Sequence, residues 1–485
     1  MIAIDATAVN VALPAIGREL AATGDELLWV VEAYALFLAA LTLLGGALGD
    51  RFGRRRLFAT GLAIFALASA ASALAPNAGA LIVARSVQGL GGALAMPQSL
   101  ALISATFTGA ERGRAIGSWS SFAAITAALG PLLGGYLVQT ASWRWVFIIN
   151  LPLAAVVLAI ATLRIPESRD QNAARALDAP GAALATLALG ALVFGLLRTQ
   201  RVADGLALAA LGAGIAGLAA FAVTQARGAN PMVPPSLFRS RNFTVANAYT
   251  FLLYAALGGS LFFVPLTLID AQRYTPAQAG GVMLPFVAMR VLFSRWSGGL
   301  IARFGVRPPL AGGAVLAAAG FAGFAAPGIG GTYWTTYFPA VVLLGAGGVL
   351  FIAPLTTTVF DSSDPQRSGI ASAVNNAVAR VAGLLAIAIL GLVLAAVFGA
   401  AFDRQLAGVP LSAQTRRIVV EERARFVAGS VPAEVPPADR AAVDSALRTA
   451  YIDGFRAVML LSGLLALVAA GIAAKGFTPR TALPR

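Results

Sequence analysis

Apolar residues in this chain gather into long runs separated by short polar breaks. Windows of about 20 mostly apolar residues, the length an α-helix needs to cross ~30 Å of hydrocarbon, recur fourteen times. They lie near 1–16, 28–49, 57–75, 80–107, 112–138, 145–164, 180–198, 204–226, 243–268, 277–302, 308–327, 334–360, 368–399 and 453–475. No segment alternates apolar and polar residues as a membrane β-barrel strand would. Helices close their own backbone hydrogen bonds and are the default spanning element in lipid. The pattern predicts an all-α membrane protein with fourteen transmembrane helices.

The basic residues orient these spans. With the N-terminus inside, the inner loops and tail hold 18 arginines and lysines, among them Arg51, Arg54, Arg55, Arg56, Arg112, Arg303 and Arg307. The short outer loops hold five: Arg18, Arg144, Arg198, Arg201 and Arg273. This positive-inside bias puts both termini in the cytoplasm. One outer segment, about 401–452, is long, charged and Ala/Pro-rich, with helix-friendly stretches near 416–426 and 438–449. It reads as a small solvated cap, with partner docking as the competing role. The first span has only 14 to 16 residues before Gly17-Arg18, or ~21–24 Å. It lacks the charged leader and cleavage site of a signal peptide. Its shortness points to a start upstream of Met1, the alternative being a shortened, tilted helix.

Composition narrows the function classes. Hydrophobic residues make up 58% and charged residues 12%, with mean hydropathy +0.80, whereas a soluble domain carries about 25% charged residues. The net charge of +14 does not signal nucleic-acid binding, because the arginines sit in loops between apolar runs and not on one basic face. The chain has no Cys and no His, which excludes disulfides, thiol nucleophiles, His metal sites and His proton relays. No metal site and no enzyme constellation is expected. An ATP-binding GxxxxGK[ST] loop is absent, since the sole lysine, Lys475, follows Ala473-Ala474. One Lys among 35 basic residues, with abundant Ala, fits a GC-rich bacterial genome and hence an inner (plasma) membrane.

A repeat organises the chain. The loop after the second span reads GALGDRFGRRR from Gly46, and the loop after the tenth reads GGLIARFGVRP from Gly298. Gly46, Leu48, Arg51, Phe52, Gly53 and Arg55 recur as Gly298, Leu300, Arg303, Phe304, Gly305 and Arg307 at an offset of 252. Gly89, Gly91 and Gly92 find counterparts in Gly345, Gly347 and Gly348. Parallel halves related by an axis along the membrane normal give such a pattern. The predicted domains are a six-helix bundle at 1–164, a linker with two extra helices at 165–242, a second bundle at 243–475 and a tail at 476–485. The loop reads as a gate in which Asp50 pairs with arginines across the crevice between halves. Ordinary positive-inside arginines with an N-cap Asp are the bland alternative. Ala302 replaces Asp50 in the second copy, so the latch is one-sided.

The first loop, with Gly46, Asp50, Arg51, Gly53, Arg54 and Arg55, resembles the signature loop of the major facilitator superfamily. Three further segments resemble the fourteen-span drug:proton antiporters of the EmrB/QacA type. Asp5 to Pro14 (DATAVNVALP) matches their DxTxVNxALP, Arg85 to Ala93 (RSVQGLGGA) matches RxxQGxGxA, and Gly130-Pro131-Leu132-Leu133-Gly134-Gly135 matches GPxxGG. Ser142 to Phe147 and Asn150-Leu151-Pro152 are also typical of that family. The antiporter motif usually opens with a Gly four residues before Gly130, where this chain has Thr126. The resemblance implies proton-coupled export of amphipathic small molecules by alternating access. It implies no cofactor beyond the proton gradient, a monomer in the lipid bilayer, and a place for a periplasmic adaptor. It also places Asp5 and Arg85 in the coupling network.

Charges at bilayer depth cost about 2.5–3.5 kcal/mol on insertion scales; Glu32, Arg85, Arg290, Arg295 and Arg380 fall there, joined by Asp5 if the first helix extends upstream. Asp5 and Glu32 are the carboxylates well inside first-half spans, where burial favours proton exchange. A solvated carboxylate near a helix end or the outer surface is the competing reading for each. Arg85 shares a face with Gln88, or else snorkels to the interface. Asn10, Gln88, Arg290, Asn375, Asn376 and Arg380 are candidate substrate-pathway residues. Gly130-Pro131 with Gly134-Gly135 predicts a kinked, closely packed helix that seals the cavity. Export of one metabolite, lipid precursor or self-made antibiotic is the alternative within transport. A passive channel or receptor is the alternative outside it.

Overall fold

The computed structural model describes the chain except residues 108–121, 123–125, 127–128, 170–177, 200–203, 229–230, 363–367, 408, 422–430, 433 and 479–485. It is helical throughout the described residues. The first four long helices are α1 (Ile2–Leu20), α2 (Gly24–Phe52), α3 (Arg54–Ala73) and α4 (Ala78–Thr106). Residues 129–140 form α5, a turn at Trp145–Ile148 leads into α6 (Asn150–Arg164), and α7 (Ala179–Thr199) and α8 (Gly205–Arg227) follow. The remaining long helices are α9 (Arg241–Asp270), α10 (Leu284–Gly298), α11 (Arg307–Ala325), α12 (Phe338–Asp361), α13 (Ser368–Leu406) and α14 (Pro437–Gly476). Among the described residues, ten helices are long and apolar enough to cross a membrane.

Local chemistry sets several helix ends. Thr23 opens α2 with a capping box, its amide donating to Glu26 Oε2 at 2.7 Å. Asn77 Oδ1 accepts from Ala80 N at 2.8 Å at the start of α4, and Asp204 Oδ1 accepts from Ala207 N at 2.9 Å at the start of α8. Arg198 of α7 also bonds Asp204, at 2.5 Å between Nη2 and Oδ2. That guanidinium, helped by the Ala207 amide, holds the Asp204 carboxyl at about 2. The first helix runs through Gly17-Arg18 to Leu20 and stops at Ala21 in the left-handed region, φ 49°. It is therefore longer than its apolar window.

The tenth window is not one straight helix. A turn at Pro276–Gly281 breaks off before α10, where Met283 leaves helical geometry and Pro285 stands in the first turn. Past Gly299 the chain winds once more at Leu300–Phe304. The expected outer cap also differs. Its second stretch is the first part of the 40-residue α14, and a separate short helix at Ala413–Glu421 covers the start of its first stretch, whose residues 422–426 lie outside the described residues.

Contacts divide the chain into two compact units. The first comprises Met1–Met232, Phe262–Gly281 and Gly391–Gly454, and the second Val233–Leu261, Val282–Leu390 and Phe455–Arg485. Within the first, glycines let backbones touch. A Cβ on Gly61 would lie 2.8 Å from Gly91 O, one on Gly91 the same distance from Gly61 O, and one on Gly45 would overlap Ala93 O. These close approaches seat α4 against α2 and α3. Within the second, Gly313 and Gly347 face each other in the same way, at 2.9 and 2.6 Å from each other's carbonyls. The packing of α11 on α12 thus repeats that of α3 on α4.

Candidate functional site

The first unit holds a polar network at its centre. Asp5, Arg85, Gln88, Asn150 and Ser69 come from α1, α4, α4, α6 and α3, and each is at most 1% exposed. Arg85 Nη1 donates to Asp5 Oδ2 at 2.6 Å and to Gln88 Oε1 at 2.7 Å, and Arg85 Nε donates to Val30 O at 3.1 Å. Gln88 Nε2 at 3.0 Å and Asn150 Nδ2 at 2.9 Å both donate to Asp5 Oδ1. Asn150 also reaches Ser69 Oγ at 3.0 Å, and Ser69 anchors itself on Phe147 O. The guanidinium lies 4.2 Å from the Tyr34 ring centroid, a cation–π contact. Two charges without water are tolerated when such donors satisfy their lone pairs, and removing one partner costs about 3–5 kcal/mol.

This arrangement decides between the competing readings of Asp5 and Arg85. Asp5 is not at a solvated frayed end, and Arg85 does not snorkel, since both are enclosed. The i,i+3 pairing of Arg85 with Gln88 aims both at one carboxylate. Sequence reasoning did not single out Ser69, and it placed Asn150 only within a family-typical segment. Asn150 opens its helix two residues before Pro152, which is the signal that could have marked it.

Glu32 stands apart from the network. It is fully buried, and among the described residues neither carboxylate oxygen has a hydrogen-bond partner. One turn on, Leu36 touches Gly190 of α7, with Cδ2 at 3.4 Å from the position of a Cβ there. Asn10 Oδ1, in α1, is a second buried acceptor without a partner.

The signature loop is held by a residue the sequence reading passed over. Gly53 takes φ +114° between α2 and α3, a conformation that favours glycine. Glu167 sits beneath it, accepting from Arg55 N at 3.0 Å and Arg56 N at 3.1 Å. Arg54 N donates to Ser168 O at 2.8 Å, and Arg55 Nη1 to Ile165 O at 3.0 Å. A carboxylate on the first amides of α3 also meets the positive end of its dipole. The side chain of Asp50 lies outside the described residues. Gly46 packs on Pro97, and Arg51 lies over the Phe52 ring.

The antiporter motif is a surface of bare backbone. A Cβ on Gly130 would overlap Thr7 of α1, and one on Gly134 would lie 2.7 Å from Ala8 O. On its other side, Gly135 abuts Pro276 O, while Gly280 abuts Pro131 O. Helix α5 is thus packed closely between α1 and the Pro276–Gly281 turn. Thr126 Oγ1 donates to Phe122 O at 2.9 Å.

In the second unit, Asn375 Nδ2 donates to Asn247 Oδ1 at 3.1 Å and to Thr250 Oγ1 at 2.8 Å. Asn376, its sequence neighbour, is exposed, and Arg380 is half-buried. The Arg290 side chain packs against Gly348 and lies 5.7 Å from the Phe286 ring centroid. Asn247 and Thr250, both buried in α9, were not among the sequence candidates.

Comparison with known proteins bears on what this architecture is. Residues 1–387 match the family model described as the Major Facilitator Superfamily. The tetracenomycin C resistance and export protein of Streptomyces glaucescens is 31% identical over 98% of this chain and 88% of its own length. The multidrug resistance protein Stp of Mycobacterium tuberculosis is 35% identical over 84% of this chain and 76% of its own. The methylenomycin A resistance protein of Streptomyces coelicolor is 36% identical, covering 81% and 83%. Among solved structures, a bacterial homolog of the human lysosomal transporter Spinster, inward-facing and occupied, superposes with a TM-score of 0.65 at 16% identity, covering 98% and 94%. At that identity the likeness establishes the fold. The chain belongs to the Major Facilitator Superfamily and is a membrane transporter, not an enzyme.

Proposed function

We propose that this chain is a secondary active exporter that couples proton entry to efflux of drugs or other amphipathic small molecules by alternating access. It is of the fourteen-span EmrB/QacA type, with halves at 1–164 and 243–475 and two helices inserted between them. It works as a monomer in a bacterial inner membrane with both termini cytoplasmic. One observation carries the coupling: two membrane-depth carboxylates in one unit with opposite surroundings. Asp5 accepts three hydrogen bonds, one from a guanidinium. Glu32 is buried without a partner and suits the protonated form, because an unpaired buried charge is the costlier state.

Relatives named for multidrug and antibiotic resistance support efflux as the direction. Asn10, Gln88, Arg290, Asn375, Asn376 and Arg380 are assigned to the substrate pathway on their polarity at membrane depth. A second reading, export of a single compound, is favoured by the relative named for tetracenomycin C, which aligns over 98% of this chain. The test is proton flux and substrate efflux in proteoliposomes under an imposed pH gradient. Asp5→Asn and Glu32→Gln are each expected to lower coupled export at least tenfold. Wild-type rates in both variants would refute the carboxylate mechanism.

A further inference from the structure

A third carboxylate lies at the end of the membrane that the positive-inside bias marks as outer. Asp270 is the last residue of α9 and is 4% exposed. It lines a cavity of about 40 Å³ with Leu27, Leu28, Phe263, Leu394 and Tyr451. That volume holds roughly three waters, far short of the shell a carboxylate needs. Among the described residues no donor reaches the Asp270 carboxyl, and the carbonyl end of a 30-residue helix adds a negative field. All these residues belong to the first unit, so the cavity lies within it.

The charges around Asp270 are already committed or wet. Arg18, at the end of α1, and Arg273, three residues on, are the cations whose fields reach it. Arg18 is exposed, and Arg273 pairs with Asp444 of α14. Arg448 donates to Ala271 O at 2.6 Å, fastening α14 to the same corner. At the start of α2, Asp25 and Glu26 accept from Thr23, and at the end of α1 Glu19 accepts from Trp143 and Arg144. Tyr451 is the titratable group sharing the cavity.

We propose that Asp270 is a further proton-binding site, set at the outer gate, and that the gate closes when Asp270 is protonated and opens when it ionises. The small, mostly apolar cavity, with no donor at the carboxyl, favours a neutral carboxyl over a charged one. Opening the mouth floods it, hydrates the carboxylate and exposes it to Arg18. A proton taken from outside therefore permits closure, the order that a carrier admitting protons requires. The sidedness rests on the proposed orientation of the spans. The gate itself can be read without any substrate.

The chain has no Cys, so single-cysteine reporters carry no background. Leu394→Cys reports from the cavity, and Gln405→Cys, exposed in the same helix, corrects for the pH dependence of thiol reactivity. Labelling intact cells with a membrane-impermeant maleimide at external pH 5.5 and 8.5 gives the ratio of the two rates. We expect the ratio to rise at least fivefold from pH 5.5 to 8.5 with Asp270 present. It should stay low and flat in Asp270→Asn and recover its rise in Asp270→Glu. An undiminished rise in Asp270→Asn, a flat ratio with Asp270 present, or a high flat ratio in Asp270→Asn would each overturn the proposal. The ratio is read without substrate and the coupling mechanism is read as export by Asp5→Asn and Glu32→Gln, so failure of this gate and failure of that mechanism are separate results.

Discussion

The two copies of the glycine-arginine loop share a frame and differ in charge. Gly53 and Gly305 both adopt positive φ, +114° and +75°. Arg55 and Arg307 each donate to a carbonyl just past a long helix, Ile165 O at 3.0 Å after α6 and Phe477 O at 3.0 Å after α14. In the first copy Glu167 follows and caps α3, whereas in the second Thr478 follows and bonds Asn242 Oδ1 instead. The same contrast separates α4 from α12. At an offset of 256 residues, Arg85 and Gln88 correspond to Val341 and Leu344, both buried. The glycine-mediated packing is kept in both halves, while the charged chemistry of these elements sits in the first. Backbone geometry is what a repeat must preserve to build two similar bundles, and side-chain charge is free to specialise.

The largest test of that contrast is Arg85→Gln beside Val341→Ala. The first strands Asp5 without its cation and should destabilise the protein by about 3–5 kcal/mol. Substrate efflux should fall at least a hundredfold, while Val341→Ala keeps near wild-type efflux. Equal losses in efflux and in thermal melting of the purified protein would break the comparison. Next come Gly53→Ala and Gly305→Ala, each costing about 1–3 kcal/mol for a strained backbone. Gly53→Ala should be the worse, because its Cβ would lie 2.8 Å from the Glu167 carboxyl, whereas the space at Gly305 is open. Equilibrium unfolding of the two variants side by side would reveal a reversed order. A smaller effect is expected for Glu167→Ala, about 0.5–2 kcal/mol for a lost helix cap. Thr478→Ala should do less, and a larger shift there would place the second copy's anchor elsewhere.

Much of the site was legible because its residues stand out chemically. Arg85 and Asp5 are charges inside apolar runs, Gln88 stands at i+3 from Arg85, and the motif resemblance pointed to a shared purpose. Glu167 was not legible, since a glutamate after a span looks like any solvated loop acid. It is identified by the amides of Arg55 and Arg56, more than a hundred residues earlier in the chain. Asp270 was hidden for a related reason. At the edge of an apolar window it reads as an interfacial acid, and its burial depends on Leu27, Leu394 and Tyr451 arriving from distant segments.

The sequence by itself determined that the chain lies in a membrane as helices, that it repeats, and that it is a transporter of one superfamily. Hydrophobic run length and motif spacing are local properties, and the bilayer leaves few ways to satisfy them. Tertiary structure alone decided which carboxylate has partners and which has none. Asp5 and Glu32 are both acids in apolar helices, and the arrival of Arg85, Gln88 and Asn150 beside one of them makes their chemistry different.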